Sequence, residues 1–267
     1  MDIRFVLDYP LCGSDFKINK TKTAIRHKAK KLGLIANKEY KAKKVSERMR
    51  GVSIDFISKV NTDKFTYPDK YSSYILGILW GDGYVNKKTS AIVIEGVKTD
   101  LDEIEHIFDT TGEWNKYTRH RINRQESKSF HIASKKLHKL LTDFNYTEKS
   151  YLSSSIQDTI DTNITHYWWR GYFDADGCIY INNKNRLYQL TISSSYEQDW
   201  NFVEKLFINL SIKYTILRKE NKSSKSSVIR VSNKKDCLKF LDYIYHGDIF
   251  GLSRKYKKYL EMKDTKN

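Results

Sequence analysis

The sequence is poor in cysteine and proline and has no long hydrophobic run. Three cysteines and two prolines occur among 267 residues. Cys12, Cys178 and Cys237 are odd in number and lack the close spacing of metal-binding pairs, which argues against a disulfide framework and a structural zinc site. No run of about 18 apolar residues is present, and residues 1–10 lack a secretion-signal pattern. We therefore expect a soluble cytoplasmic or organellar protein that is not secreted and has no membrane partner.

Positive charge is what the sequence has in excess. Lys and Arg number 48 against 32 Asp and Glu, giving a net charge of +16, and 39% of residues are hydrophobic, which is enough for a folded core. Residues 1–50 hold 14 Lys and Arg against 5 Asp and Glu. Such an excess favours a polyanionic partner, and a solvated basic surface without a partner is the alternative.

A small helical unit is predicted at the N-terminus. Ser14 can cap a short helix, and a second helix is expected over Thr21–Leu32, with Gly33 as its left-handed terminating residue. A short helix followed by a basic one is typical of a helix-turn-helix. We therefore predict a helix-turn-helix-like DNA-binding module over residues 1–36 and a basic linker over residues 37–70. The candidate DNA contacts on the second helix are Lys22, Arg26, Lys28 and Lys30.

The remainder of the chain contains an internal repeat. One copy opens with an apolar helix ending at Gly83 and the other with an apolar helix ending at Gly177. Each is followed by two strands, a helix, two strands and a closing helix. The third strand of the first copy is predicted at Trp114–Arg124. The predicted fold class is α+β, with tandem αββαββα repeats over residues 71–150 and 151–267.

Small residues four positions apart lie on one face of each opening helix. Gly77 and Gly81 occupy the first helix, and Gly171 and Ala175 occupy the second. Because small residues let backbones approach closely, we expect the two helices to pack side by side. Gly83 and Gly177 are expected to adopt left-handed helix-ending conformations.

This packing brings two acids together. Asp82 and Asp176 each lie at a helix C-terminus, where the helix dipole disfavours an anion, and they also repel each other. A divalent cation relieves both penalties, and oxygen ligands beside a phosphate substrate favour Mg²⁺ or another divalent cation over zinc.

The two motifs resemble those of the LAGLIDADG homing endonucleases. Residues 75–83 (ILGILWGDG) and 169–177 (WRGYFDADG) carry the resemblance, the second more closely, and it extends over about residues 70–260. It implies a pseudo-twofold saddle over DNA, with Asp82 and Asp176 as catalytic, metal-binding acids. Trp80 replaces the acid found at Asp174, a position that is not an essential ligand in the family.

The resemblance also implies a basic residue after the last helix of each repeat. Lys149 and Lys255 are the matching positions, and ordinary surface lysines are the alternative interpretation. Further candidates for DNA contact are polar and basic residues of the predicted strands and hairpins, each of which could instead be a solvated loop residue. They are Lys116, Arg119, Arg121, Asn123, Arg124, Gln125, Asn182, Asn183, Lys184, Arg186, Gln189, Arg218 and Arg230.

These features predict a monomeric, site-specific endonuclease that cuts double-stranded DNA at a long asymmetric site. The alternatives are an RNA-splicing maturase, whose partner would be intron RNA, and a non-catalytic DNA-binding regulator. Such regulators typically lack the acids, and both acids are present here. A protein-splicing role is not expected, because the chain starts with Met-Asp, ends with Lys-Asn and lacks splicing residues.

Overall fold

The computed structural model describes residues 9, 21–38, 40, 60–120, 125–221 and 224–265. The chain divides into two compact units, residues 1–56 and 57–267. Within these described residues, no helix is long and apolar enough to cross a bilayer.

The first unit contains helix α1 (Lys22–Lys31). The helix begins where the Thr21 hydroxyl accepts a hydrogen bond from the Ala24 N–H at 3.2 Å, and it ends before Gly33, whose φ is +66°. Ile25 and Ala29 are buried against Tyr9. The predicted basic helix and its glycine terminator are therefore confirmed. The predicted first helix around Ser14 lies outside the described residues, so the helix-turn-helix stays a prediction.

The second unit contains two consecutive repeats of similar helix and strand order. The first comprises α2 (Asp63–Thr66), α3 (Lys70–Gly81), β1 (Gly83–Val85), β2 (Ala91–Val97), α4 (Lys98–Asp109), β3 (Asn115–Arg119), β4 (Ser127–Ala133) and α5 (Lys135–Asp143). The second comprises a 3-10 turn (Ile156–Thr159), α6 (Thr165–Asp176), β5 (Gly177–Asn182), β6 (Leu187–Ser194), α7 (Asn201–Asn209), β7 (Thr215–Asn221), β8 (Ser224–Val231), α8 (Lys234–Ile244) and α9 (Ser253–Asp264).

Each repeat forms an antiparallel four-stranded sheet with the same topology. The strand orders are β1-β2-β4-β3 and β5-β6-β8-β7. Side chains alternate between a face that packs on helices and an open face. Ile92, Ile94 and Phe130 are buried on the helix face of the first sheet, and Leu190 and Ile229 occupy that face of the second. The predicted α+β fold of tandem αββαββα repeats is confirmed.

The two opening helices, α3 and α6, pack directly on each other through their glycines. A Cβ atom on Gly77 would lie 2.7 Å from the Tyr172 nitrogen, and one on Gly171 would lie 3.0 Å from the Ile78 nitrogen. One on Gly81 would overlap the Cβ of Ala175. Backbone therefore meets backbone at this interface, as the spacing of small residues predicts.

The predicted conformation of the motif-ending glycines is wrong. Gly177 has φ −82° and ψ 152°, and Gly83 is not among the described residues with positive φ. Both glycines instead begin the next strand. A Cβ on Gly83 would lie 2.7 Å from Leu79 Cα, and one on Gly177 would overlap the Phe173 ring. Glycine is required at both positions because a side chain would not fit, and not because the backbone is left-handed.

Two other expectations differ from the structure. Strand β3 ends at Arg119, not at Arg124, and residues 121–124 are outside the described part of the chain. Helix α9, which follows the closing helix α8 within the second repeat, is not predicted by the sequence pattern. It begins at Ser253 and buries Tyr259 and Met262.

Candidate active site

The paired ends of α3 and α6 place two acids together. Asp82 caps α3, with its backbone N–H bonded to Ile78 O at 2.9 Å, and Asp176 is the last residue of α6. A Cβ on Gly81 would lie only 3.0 Å from Asp176 Oδ2. The carboxyl group of Asp176 therefore lies against the backbone of the other motif helix, one residue before Asp82.

The surroundings of both acids disfavour the charged carboxylate. Burial raises the pKa of Asp82, although Lys149 and Lys255 lower it. Burial also raises the pKa of Asp176, and the negative charge of Asp82 raises it further. No described residue forms a side-chain hydrogen bond or ion pair with either carboxyl group. A cation between them would offset the repulsion.

Lys149 and Lys255 are held by the last turns of the motif helices. Lys149 Nζ donates to Leu79 O at 3.3 Å and to Gly81 O, and Lys255 Nζ donates to Phe173 O at 2.6 Å. Leu79 and Phe173 each lie three residues before a motif acid, so the two lysines are equivalent in the two repeats. Burial lowers the pKa of Lys149 and that of Lys255 to about 8. The interpretation as ordinary surface lysines is therefore wrong for Lys255, which is 4% exposed.

Asp174 anchors the helix that carries Lys255. Its Oδ2 accepts hydrogen bonds from Tyr74 Oη at 2.8 Å and from the Leu252 N–H, just before α9, at 3.0 Å. In the first repeat the equivalent residue, Trp80, packs edge-on against Tyr146 at 5.0 Å. The sequence difference between the motifs is therefore a difference in packing beside the acids.

The two carboxyl groups fit part of a divalent-cation site. The described ranges contain no group of three or more His, Cys, Asp or Glu residues able to hold a metal ion. Mg²⁺ is commonly held by one or two carboxylates together with water and substrate phosphate. Asp82 and Asp176 match that incomplete donor set, in which the substrate supplies further oxygens.

A polar cavity of about 210 Å³ opens beside Asp176. Its lining includes Trp80, Lys149, Ser150, Tyr172, Ser194, Ser195 and Gln198. Sequence reasoning missed Tyr172, which occupies an apolar position of the motif helix and is indistinguishable by spacing from a core residue.

Strand register separates the predicted DNA-contacting residues. Arg119 lies three positions after Lys116 in β3, so the two side chains are on opposite faces, and Arg119 is on the open face of the first sheet. Gln189 and Arg230 lie on the open face of the second sheet. Lys28, Lys30, Gln125, Asn183, Lys184 and Arg186 are exposed, and Asn182 is half-buried at the end of β5.

Two of the predicted contacts lie on the other face of their sheets, where a helix holds Lys116 and the loop before α7 holds Arg218. Lys116 Nζ forms ion pairs with Glu105 and Asp109 of α4, both at 2.6 Å. Arg218 donates to Tyr196 O and, at 3.2 Å, to Gln198 O. Each lies one position out of register with the open face, so its side chain is on the opposite face of the sheet. The side chains of Lys22 and Arg26, and residues Arg121, Asn123 and Arg124, lie outside the described set.

The open faces also carry aromatic side chains that the sequence did not single out. Tyr84 is 58% exposed, Tyr117 51% and Tyr180 49%. Their alternation with buried residues along the strands is the signal that could have found them. Tyrosine can contact both phosphate and bases, so these residues extend the candidate nucleic-acid surface.

Comparisons with known proteins agree with this arrangement. Residues 165–245 match the family model described as a LAGLIDADG-like domain. An uncharacterised protein of Methanocaldococcus jannaschii is 30% identical over 183 residues, which cover 63% of this chain and 65% of that protein. The alpha subunit of a Bacillus subtilis ribonucleoside-diphosphate reductase, NrdEB, is 26% identical over 168 residues, 57% of this chain and 15% of that one. The chain therefore spans less than two thirds of the length of either relative.

A solved structure gives a further likeness. The homing endonuclease I-WcaI, bound to its DNA recognition sequence, has a TM-score of 0.49 at 19% identity, covering 68% of this chain and 84% of that one. The fold assignment itself follows from the sheets and helices described above. Residues 165–245, the part that matches the LAGLIDADG-like family model, have the same order of helices and strands as the first repeat.

Proposed function

We propose that this protein is a metal-dependent, site-specific endonuclease that cuts double-stranded DNA. The observation that carries the proposal is the pair of unpartnered acids, Asp82 and Asp176, at the joined ends of α3 and α6. Each acid lies near a lysine that is bound to the same helix end. The LAGLIDADG-like match over residues 165–245 supports the same interpretation.

The residues of the site have separate roles in this proposal. Asp82 and Asp176 hold Mg²⁺ or another divalent cation, which when bound supplies electrophilic activation of a phosphate and of water. Lys149 and Lys255 stabilise the extra negative charge of the phosphate that is attacked. With pKa values of about 8, both lysines remain mostly protonated at pH 7 and can supply this positive charge.

The sheets would provide binding and specificity. Their open faces present Arg119, Gln189 and Arg230, which are side-chain types that contact base edges, together with exposed tyrosines. Because the two repeats differ in sequence, we expect an asymmetric site. Both half-sites lie in one chain, so a monomer suffices.

The test is to select cleavable sites from a randomised duplex DNA library in Mg²⁺. We expect one long asymmetric site to be enriched, and EDTA to stop cutting reversibly. Asp82→Asn and Asp176→Asn should each reduce cleavage by about 100-fold or more while leaving DNA affinity within about threefold, because each removes a ligand charge and little bulk.

The matched control is Asp158→Asn, at an exposed acid of the 3-10 turn, which should cut like the wild type. Wild-type cleavage by the Asp82→Asn, Asp176→Asn double variant would refute the assignment. Enrichment of bound but uncut DNA would indicate a regulator.

A further inference from the structure

The cavity beside Asp176 is large enough and polar enough to hold water. Its volume of about 210 Å³ accommodates several water molecules, each of which occupies about 30 Å³ in the liquid. Lys149, Asp176 and several hydroxyl and amide groups line it. A polar cavity of this size is expected to be hydrated.

One hydroxyl group in this lining lacks a partner. Tyr172 is 1% exposed, and its Oη forms no hydrogen bond within the described part of the chain. A buried hydroxyl without a partner is unfavourable, because it has lost its hydrogen bonds to water. The ring cannot swing out to find one, because it packs on Trp168 and Phe202, both at 5.6 Å between ring centroids.

Other lining groups are already satisfied. Ser194 Oγ donates to Gln198 Oε1 at 2.8 Å, and Gln198 Nε2 donates to Leu152 O at 2.9 Å. Ser195 Oγ donates to Ser150 O. The Tyr172 hydroxyl and the Asp176 carboxyl thus both lack a partner among the described residues, and both residues line the same cavity.

The two groups are close but not bonded to each other. Burial raises the pKa of Tyr172, and the charge of Asp176 raises it further, so the phenol stays protonated and can donate. Polar groups that influence each other without a direct hydrogen bond are commonly bridged by water.

The position equivalent to Tyr172 in the first motif carries no hydroxyl. Aligning the motif helices by Gly77 with Gly171 and Asp82 with Asp176 places Ile78 opposite Tyr172. Ile78 is buried and apolar. The arrangement at Tyr172 therefore has no counterpart at the equivalent position of α3.

We propose that the Tyr172 hydroxyl positions a water molecule between itself, Asp176 and Lys149, and thereby serves the cleavage of one DNA strand but not the other. The inference rests on the proposed nuclease function. Tyr172 is a positioning residue, since it acts on the reaction through the water. It makes the two half-sites chemically unequal even though their acids and lysines correspond.

The experiment is to measure the cleavage rate of each strand separately for the full-length Tyr172→Phe protein, with the selected DNA site labelled differently on its two strands. We expect one strand to be cut about 10- to 100-fold more slowly, at or below the usual cost of losing one catalytic hydrogen-bond donor. A nicked intermediate of a single polarity should accumulate. The other strand's rate and the DNA affinity should stay unchanged, and the melting temperature should not fall.

The matched control is Tyr245→Phe, which removes a second buried hydroxyl that has no partner among the described residues and does not line this cavity. It should leave both strand rates as in the wild type. Wild-type rates on both strands for Tyr172→Phe, or equal slowing of both, would overturn the inference alone. A wild-type protein that cuts no DNA would overturn the proposed function and this inference with it.

Discussion

The acidic residues of this protein occupy contrasting environments. Asp236, in the first turn of α8, accepts hydrogen bonds from Asn233 Nδ2 at 2.8 Å and from the Lys213 N–H at 3.1 Å, and pairs with Lys239 at 2.9 Å. Although burial alone raises its pKa, these partners hold the pKa at about 2. Asp82 and Asp176 lack comparable partners, and their pKa values are raised. A carboxyl group that serves the fold can thus be distinguished from those proposed to serve chemistry.

Asp236 should contribute stability that depends on pH. Its folded pKa of about 2 lies below the value of about 3.9 for an unfolded Asp. The contribution is therefore complete above about pH 4 and is lost as the pH falls toward 2. We expect Asp236→Asn to lower the free energy of unfolding by roughly 1–2 kcal/mol at pH 7, because the charged hydrogen bonds are weakened.

The measurement is chemical denaturation of wild type and Asp236→Asn between pH 2 and pH 7. The difference between them should shrink as the pH falls below about 4. Asp158→Asn, at an exposed acid, should show little difference at any pH. A difference for Asp236→Asn that stays constant down to pH 2 would contradict the assigned pKa.

The residues of the candidate site could be predicted unequally well. Asp82 and Asp176 follow from the repeated motif, because helix-end position and spacing are properties of the sequence itself. Lys149 and Lys255 required the family resemblance. Lys116 and Arg218 are candidates by residue type alone, and their sheet face could not be predicted because one residue of register reverses a strand side chain. Tyr172 could not be found, since only the packed structure shows that it lines a cavity and that its hydroxyl lacks a partner among the described residues.

At the scale of elements, the packing of α3 on α6 leaves no room for a side chain at its glycines. A Cβ on Gly77 would lie 2.7 Å from the Tyr172 nitrogen and would overlap the Trp168 carbonyl. We expect Gly77→Ala or Gly171→Ala to lower the free energy of unfolding by roughly 1–3 kcal/mol or more, because the backbones must separate. Thermal melting and cleavage assays should show both losses together.

Gly96→Ala is the control for these substitutions. A Cβ at Gly96 would meet Leu101 at 3.5 Å, an ordinary van der Waals distance. This variant should therefore melt close to the wild type. Unchanged melting of both motif-glycine variants would mean that the helices do not meet through these residues.

Most elements follow from the sequence pattern, and α9 shows why one did not. Its buried face uses Lys255, Tyr259 and Met262, at helical spacings of four and three. The first position of that stripe is a lysine, which satisfies its charge on the carbonyls of Phe173 and Asp174. A buried cation in an apolar stripe conceals the periodicity by which an amphipathic helix is recognised.

At the scale of the whole molecule, charge is unevenly shared. Residues 1–50 contain 14 Lys and Arg against 5 Asp and Glu in a chain of net charge +16. We predict that a truncated protein of residues 57–267, the second unit, folds and cuts the same site but binds it more weakly. Its affinity should depend less on salt, by roughly 0.9 in the slope of log K against log salt for each phosphate that the truncated protein no longer neutralises.

Titrations of truncated and full-length proteins at several salt concentrations test this prediction. Equal affinity and equal slope would contradict a role of residues 1–50 in DNA binding. Insoluble or unfolded truncated protein would indicate that the first unit supports the fold instead.

The glycine packing between α3 and α6 has a consequence for how such a nuclease could diversify. No side chain lies between the helices at Gly77 and Gly171. The spacing of the two acids is therefore fixed by contact between the two backbones. Residues on the open sheet faces can be substituted without changing the helix packing. The offset between the two proposed cuts is set by that packing and should stay the same. Redesigned recognition surfaces should therefore yield new target sequences with the same overhang length.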